Sequence, residues 1–188
     1  MNLKRICAAV AILASPWFCA LATDETPTIL DQHPAWLQRK IHWERAPRDV
    51  NPSLSAGAAT VLYFGPDGRF WMLSGTVYKQ NHLISVSNGD SESIFKGNWK
   101  ANGDSVHVVF RLIYHDIRIA GESLLGPDLM MDFRLEQHRK LLKVKAASGI
   151  DLVGFEYEVN PEFSTKNLVS QFSFADHVSE GDSKASPK

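Results

Sequence analysis

Hydrophobic and polar residues alternate with a period of two over most of the chain between residues 60 and 159. In the run 105–118, Val106 and Val108 begin a series of apolar residues at every second position, and the pattern recurs in 129–136. One apolar face and one polar face are typical of strands in an antiparallel sheet. The alternation predicts about eight strands, at 60–64, 69–78, 82–86, 92–99, 105–118, 129–136, 140–146 and 151–159.

Short segments rich in Gly, Asn and Asp separate several of these runs, at 65–68, 88–90 and 102–104. They supply residues that accept positive φ, as tight hairpin turns require. Neighbouring strands are therefore predicted to be antiparallel partners in chain order. About eight strands in that order keep unpaired edges unless the sheet closes. The sequence thus predicts a mainly all-β domain, an up-and-down meander forming a lipocalin-like barrel or a strongly curved sheet. A two-sheet β-sandwich is the alternative.

A polar, proline-spaced lead-in, 23–54, precedes the β-rich region. Within it, Pro34 stands where the first residue of a helix would stand, and Leu37 and Ile41 are four residues apart. This spacing predicts a short N-terminal helix over 34–43 that packs on the barrel or plugs one end of it.

A single β-rich domain is expected over 55–178, followed by a polar tail. After Pro161 the alternation loosens, and the apolar residues near 168–174 predict a short helix or a last strand. The segment 179–188 has one apolar residue, Ala185, and is expected to be disordered.

The first 22 residues have the pattern of an export signal. Lys4 and Arg5 precede an apolar run that ends in small residues. This predicts a signal peptide, 1–22, cleaved before Thr23, and a periplasmic or secreted protein. Because Pro16 interrupts a run shorter than the roughly 20 residues of a bilayer span, no transmembrane segment is expected in the mature chain.

Composition narrows the possible chemistry. The chain has 188 residues with 20 basic and 21 acidic side chains, so no basic excess indicates nucleic-acid binding. Cys7 and Cys19, its 2 cysteines, lie in the predicted signal peptide. The mature chain would therefore have no disulfide, no thiol nucleophile and no cysteine ligand for a metal.

Motifs for catalysis, metals and cofactors are missing from the sequence. The 7 histidines form no H-x-H, H-x3-H or HExxH pattern, and there is no G-x-S-x-G elbow or phosphate-binding loop. No catalytic residue, metal ligand or cofactor is assigned. An enzyme remains an alternative only as a hydrolase in which His107, His115 or His138 meets an acidic residue in space.

Aromatic residues in the strands are the main candidates for a binding site. A barrel of about eight strands fills its interior with side chains or holds one small ligand. A packed core is one interpretation of these aromatics and an apolar pocket is the other. The candidate ligand-binding residues are Trp71, Trp99, Phe110, Tyr114, Phe133 and Tyr157.

The unit Gly97-Asn-Trp99, which precedes the turn at 102–104, resembles the Gly-x-Trp unit of lipocalins. Lipocalins carry it on the first barrel strand, whereas here it falls on about the fourth, so the resemblance concerns architecture and transfers no site residue.

Together these features predict an exported, non-catalytic barrel that binds a small apolar ligand or an envelope partner. A structural or inhibitory protein that presents the loop 120–128 is the third interpretation. The oligomeric state is left open.

Overall fold

The computed structural model describes residues 29–45, 53–115, 127–166 and 168–173, with no description of the side chains of 87–92 and 115. The predicted signal peptide, most of the loop 120–128 and the predicted tail lie outside these ranges.

The described part of the chain is mainly β-structure. One short helix, one 3₁₀ turn and a C-terminal helix at 168–173 accompany the strands. The elements are α1 (Ile29–Gln32), β1 (Ala35–Gln38), β2 (Glu44–Arg45), β3 (Leu54–Phe64), β4 (Arg69–Gln80), β5 (Leu83–Asn102), β6 (Ser105–His115), β7 (Leu129–Glu136), a 3₁₀ turn (Gln137–Arg139), β8 (Leu141–Ser148), β9 (Glu156–Glu158) and β10 (Phe163–Ser164). Among these residues, no helix is long and apolar enough to cross a bilayer.

Eight strands form a closed antiparallel barrel, which confirms the predicted barrel and sets aside the two-sheet sandwich. Strands β3 to β9 are neighbours in chain order. Strand β1 lies between the two ends of this meander, where Leu37 is opposite Val61 of β3 and Glu158 of β9. Closure satisfies backbone hydrogen-bonding groups that an open sheet would leave at its edges.

The helix predicted over 34–43 is wrong, because this segment contains β1. The only helical turn here is α1, which ends before Pro34. Trp36 is buried inside the barrel and Leu37 is buried on its outside. Since both faces of β1 are covered, the segment lacks the alternation that identifies a strand in the sequence.

Two of the predicted hairpin turns are confirmed and one is wrong. Gly68 and Gly103 have φ of 76° and 58° in the β3–β4 and β5–β6 turns. The segment 88–90 instead lies within the continuous strand β5. Both halves of β5 pair with β4, and the register shifts between Val86 and Ser91 accommodate the extra residues as a bulge. This long-range pairing outweighs the local turn preference of Asn-Gly.

Large apolar side chains fill the half of the barrel nearest the β3–β4 turn. This half is called the plugged half here, and the opposite half is called the open half. Phe64 contacts the rings of Phe70, Trp99 and Phe133, with centroid separations of 5.3, 5.6 and 6.3 Å. Leu30 of α1 is fully buried in the same cluster, so α1 plugs this end of the barrel. The plugging role predicted for the N-terminal helix thus belongs to one turn of helix upstream of the predicted site.

A second apolar cluster lies on the outside of β3, β4 and β5. The C-terminal helix covers it through Leu168 and Phe172, and Phe172 stacks on Trp71 with ring centroids 4.8 Å apart. Strand β10 adds a parallel pairing to β5 beside it. The region after Pro161 therefore contains both a short strand and a short helix.

The predicted last strand, 151–159, is shorter in the structure. Only Glu156–Glu158 is a strand, and 151–155 makes a turn in which Gly154 has φ of 87°. This turn lies beside the candidate site described below.

Gly97 allows a close approach between β5 and β6. A Cβ at this position would lie 2.0 Å from the carbonyl oxygen of Val109 and 2.5 Å from Cα of Phe110. We expect Gly97→Ala to lower the free energy of unfolding by about 3 kcal/mol, because backbone atoms cannot move aside as a side chain can. Urea unfolding of the purified protein measures this loss.

Gly103→Ala is the matched control. Nothing lies within 4 Å of a Cβ there, and only the positive φ opposes alanine. We expect this variant to lose about 1 kcal/mol. Equal losses in the two variants would contradict a role for the close strand approach.

Candidate functional site

The barrel wall has a cleft where its two shortest strands end. β1 stops at Gln38 and β9 begins at Glu156, whereas the neighbouring strands β3 and β8 continue. The resulting opening, called the side cleft here, has a volume of about 520 Å³. It is lined by Gln38, Lys40, Lys143, Val153, Gly154, Phe155 and Glu156.

The apolar side of this cleft is a turn held against β8. The amide of Val144 donates to the carbonyl of Phe155 at 2.9 Å, and the amide of Gly154 donates to the carbonyl of Val144 at 3.1 Å. Leu152 is buried and anchors the turn in the barrel interior. The side chains of Val153 and Phe155 are nevertheless 58% and 37% exposed. The backbone therefore holds two apolar groups at the opening instead of burying them.

The charged side of the cleft is an ion-pair network across the barrel seam. Arg39 contacts Glu156 at 2.9 Å and Glu158 at 3.4 Å, and Lys143 contacts the second oxygen of Glu156 at 3.4 Å. Hydrogen bonding from Arg39, together with Lys143, lowers the pKa of the Glu156 carboxyl despite its partial desolvation. Within the described ranges, the ammonium group of Lys40 makes no ion pair or side-chain hydrogen bond.

Gln38 connects the cleft to the barrel interior. Its side-chain oxygen accepts a hydrogen bond from the amide of Thr60 at 3.0 Å, and its amide nitrogen donates to the carbonyl of Lys40 at 3.1 Å. Strand β1 has ended at this level, so the Gln38 side chain takes the place of a backbone partner for β3.

A buried hydroxyl lies next to this bridge. Tyr157, opposite Gln38 in the sheet, is fully buried, and its hydroxyl makes no hydrogen bond of normal geometry with the described residues. Burial raises the pKa of the Tyr157 hydroxyl, and the nearby Thr60 side chain opposes this shift by less than burial causes. The barrel interior therefore contains a neutral polar group without a satisfactory partner, which is uncommon in folded proteins.

The inner wall becomes lined by small side chains at the level of this hydroxyl. In the plugged half, β3 and β4 place Leu62 opposite Met72 on the interior face. Two residues further, Thr60 is opposite Ser74, and next Ala58 is opposite Thr76 on the same face. Ala58 is exposed although it faces inward. At these two levels, β3 and β4 thus place smaller side chains on the inner wall than they do in the plugged half.

Four of the six predicted ligand-binding residues lie inside the barrel. Phe110 and Phe133 are buried in its core, and Trp99 packs against that core while donating from Nε1 to the carbonyl of Gly65 at 3.0 Å. Tyr157 is fully buried in the same core and is opposite Gln38, which lines the side cleft. Their role in ligand binding stays a prediction.

The interior position expected for the other two residues is wrong. Trp71 and Tyr114 belong to the cluster on the outside of the barrel. Trp71 follows the interior residue Phe70, and the alternation of a strand then directs it outward. Tyr114 follows the register shift between β5 and β6, which changes the face that it occupies. Because both faces of these strands are apolar, the sequence pattern did not distinguish inside from outside.

The sequence predictions missed Gln38, Lys40, Val153 and Phe155 as site residues. Gln38 and Lys40 were missed because a helix was predicted over 34–43. Phe155 was missed because a strand was predicted over 151–159, where the structure has an exposed turn before β9. Two glycines, Gly149 and Gly154, both with positive φ, were the available sequence signal for a turn at this place.

Two of the histidines considered for a hydrolase, His107 and His138, do not line the side cleft. His107 Nδ1 lies 2.6 Å from a carboxylate oxygen of Asp132, but the two side chains are 51% and 56% exposed on the outer wall. His138 lines a separate cleft of about 480 Å³ with Asp104 and Arg139. The side chain of His115 is not described. Among the described residues, no group of three potential metal ligands is close enough to bind an ion.

Comparisons with protein-family models, curated proteins and solved structures find no match to this chain. The geometry of the barrel and of its side cleft is therefore the basis for assigning a function.

Glu156→Gln tests the ion-pair network. The lowered pKa means that the carboxylate stabilises the fold above its ordinary pKa of 4.5 and loses this effect as the pH falls through the lowered value. We expect Glu156→Gln to have a lower Tm than the wild type at pH 7, and the difference to vanish in acid. Thermal unfolding followed by circular dichroism between pH 2 and 7 measures it.

Glu158→Gln is the control, because it removes only the longer contact to Arg39. Its effect at pH 7 should be smaller. A difference between Glu156→Gln and the wild type that stays constant down to pH 2 would contradict the role given to the Glu156 charge.

Tyr157→Phe tests the buried hydroxyl. Since burial raises the pKa of Tyr157, the folded state favours the neutral phenol and loses stability as the unfolded chain ionises above pH 10. We expect the wild type to lose about 1.4 kcal/mol more per pH unit than Tyr157→Phe in this range. Urea unfolding between pH 8 and 12 measures the two slopes, and equal slopes would show that the hydroxyl is accessible to water.

Proposed function

We propose that this protein is an exported, non-catalytic barrel that binds a small molecule with an apolar body and one hydrogen-bonding group. The ligand enters at the side cleft. Its apolar body covers Val153 and Phe155, and its polar group reaches the region of Gln38, Thr60 and Tyr157. The observation that carries this proposal is the buried Tyr157 hydroxyl without a satisfactory partner.

The energetic argument concerns the cost of that hydroxyl. Leaving a buried donor without a hydrogen bond costs about 1–3 kcal/mol. Tyr157 is on a short strand that closes the barrel, and phenylalanine would fill nearly the same volume without this cost. A ligand or a bound water molecule at the hydroxyl would supply the missing hydrogen bond. The exposed apolar side chains of Val153 and Phe155 at the side cleft favour the ligand.

The exposed apolar side chains at the cleft support the same conclusion. Binding sites for small molecules are mostly apolar, contain a few fixed polar groups and have volumes of about 300–1,000 Å³. The side cleft combines the apolar side chains of Val153 and Phe155 with polar and charged ones, and its volume of about 520 Å³ is within that range. Its shape is held by the hydrogen bonds between β8 and the turn, so the apolar surface exists before the ligand binds.

Export is part of the proposal and rests on the sequence of residues 1–22. Cleavage before Thr23 would leave a chain with no cysteine, which is suited to an oxidising compartment such as the periplasm or the exterior of the cell. The closed barrel supports a comparison with lipocalin-like carriers at the level of architecture only.

Binding to an envelope protein is the second candidate, and one observation favours it. Val109 and Met130 are directly opposite each other on β6 and β7, and both point outward, with exposures of 36% and 45%. Apolar side chains paired in this way on an outer wall suit a protein contact. The His107–Asp132 pair next to them is open to solvent and gives the hydrolase alternative little support.

Native mass spectrometry of the mature protein, purified gently from its own host, tests the proposed binding. We expect a mass excess that disappears on denaturation. In Tyr157→Phe, the ratio of bound to free protein should fall about fivefold, which corresponds to one lost hydrogen bond of about 1 kcal/mol.

Tyr63→Phe is the control, because it removes a hydroxyl next to the outer cluster and leaves the interior unchanged. It should retain the mass excess of the wild type. The absence of any excess in the wild type, or an equal loss in both variants, would overturn the proposal and direct attention to the outer wall.

A further inference from the structure

The charges around the side cleft identify a narrower class of ligand. We propose that the cleft binds an alkyl carboxylate. The carboxylate is the hydrogen-bonding group of the proposed ligand and lies where Gln38 and Lys40 line the cleft together, and the alkyl chain lies along Val153 and Phe155. This inference rests on the proposed function, because it assumes that the side cleft is the binding site. It adds that the ligand has a single negative charge and that its apolar part is an alkyl chain.

The first step is the balance of charges at the cleft. Three cationic side chains, Arg39, Lys40 and Lys143, lie here with two carboxylates, Glu156 and Glu158. The carboxylates are occupied by Arg39 and Lys143. Lys40 is left as the one cation of this group without an ion pair among the described residues. The cleft therefore has a surplus of one positive charge.

The second step is the number of charges on the ligand. A single lysine ammonium matches one negative charge, and Glu156 at the same cleft would repel a second one. Arg39 already holds two carboxylates, so its guanidinium is not free for the bidentate contact that phosphate groups use. These two facts favour a monoanion such as a carboxylate over a phosphate ester.

The third step is the apolar part. Val153 and Phe155 are exposed on the turn opposite the charged side of the cleft. These groups have no hydrogen-bonding capacity and gain only from covering by apolar atoms. Each methylene of an alkyl chain buried against them strengthens binding by about fourfold. A ligand with a charged end and a flexible alkyl chain covers both sides of the cleft at once.

Titration of the mature protein with four probes tests the inference. The probes are octanoate, decanoate and dodecanoate, with decan-1-ol as the neutral counterpart of decanoate. Isothermal titration calorimetry at pH 7 and low ionic strength gives each Kd. We expect affinity to rise about fifteenfold with each added pair of methylenes until the cleft is filled, and decanoate to bind about tenfold more tightly than decan-1-ol.

Two substitutions separate the charge from the apolar surface. Lys40→Gln should weaken decanoate about tenfold and leave decan-1-ol unchanged, whereas Phe155→Ser should weaken both probes. Lys145→Gln is the matched control, because Lys145 is exposed on the same strand as Lys143 and does not line the cleft. It should leave the Kd of decanoate unchanged.

The possible failures are distinguishable. If decan-1-ol binds as tightly as decanoate and Lys40→Gln changes neither, the carboxylate assignment is overturned while the proposed function stands. If Lys145→Gln weakens decanoate as much as Lys40→Gln, the attraction is non-specific and the assignment is again overturned. If none of the four probes binds, and the host-purified protein also has no mass excess, both this inference and the proposed function fail.

Discussion

The closure of the sheet through β1 is the constraint on which the rest of the structure depends. Strand β1 pairs with β3 through Ala35–Leu37 and with β9 through only two residues. These few pairings remove the open edges of a long meander and place Trp36 in the core. The same short strands do not reach the open half of the barrel. The seam is therefore bridged there by the Gln38 side chain and by the Arg39 ion pairs, and the side cleft lies between them. Strand β1 thus closes the barrel where it is paired, and its short length leaves the side cleft where it ends.

The sequence predicted the fold well where one face of a strand is exposed. The alternation in β6 and β7 is clear because most of their outward residues, such as His107 and Asp132, are polar. The strands predicted at 105–118 and 129–136 are confirmed over 105–115 and 129–136. The prediction from the alternation of apolar and polar residues failed where both faces of a strand are buried. The segment around Trp36 and Leu37 was predicted as a helix, and Trp71 was placed inside the barrel. The local signal at Asn88-Gly89 was also misleading, because a turn preference of two residues cannot reveal that both flanking segments pair with β4.

The candidate site was predictable only in part. Tyr157 was identified from its place in an alternating run, and the structure gives it a distinct position as a buried hydroxyl. The partners that make this position chemically interesting come from other parts of the chain. Gln38 and Thr60 are 22 residues apart, and Arg39 meets Glu156 across 117 residues. These contacts depend on how β1 is paired with β3 and β9 when the barrel closes. The local spacing of residues in the sequence does not predict a contact between strands so far apart in the chain. The surplus charge of Lys40 becomes visible only after the other ion pairs are known.

The position of β1 also has a consequence for the order of folding. Leu37, near the start of the described chain, is next to Glu158, near its end, so the wall of the barrel is complete only after almost every strand has formed. The covering of the outer cluster requires still later residues, Leu168 and Phe172. Contacts of such large sequence separation make folding slow. A growing chain would therefore expose the outer apolar faces of β3, β4 and β5 until residues 168–173 have been made. It would depend on the cell to keep these faces from associating with other chains during that time.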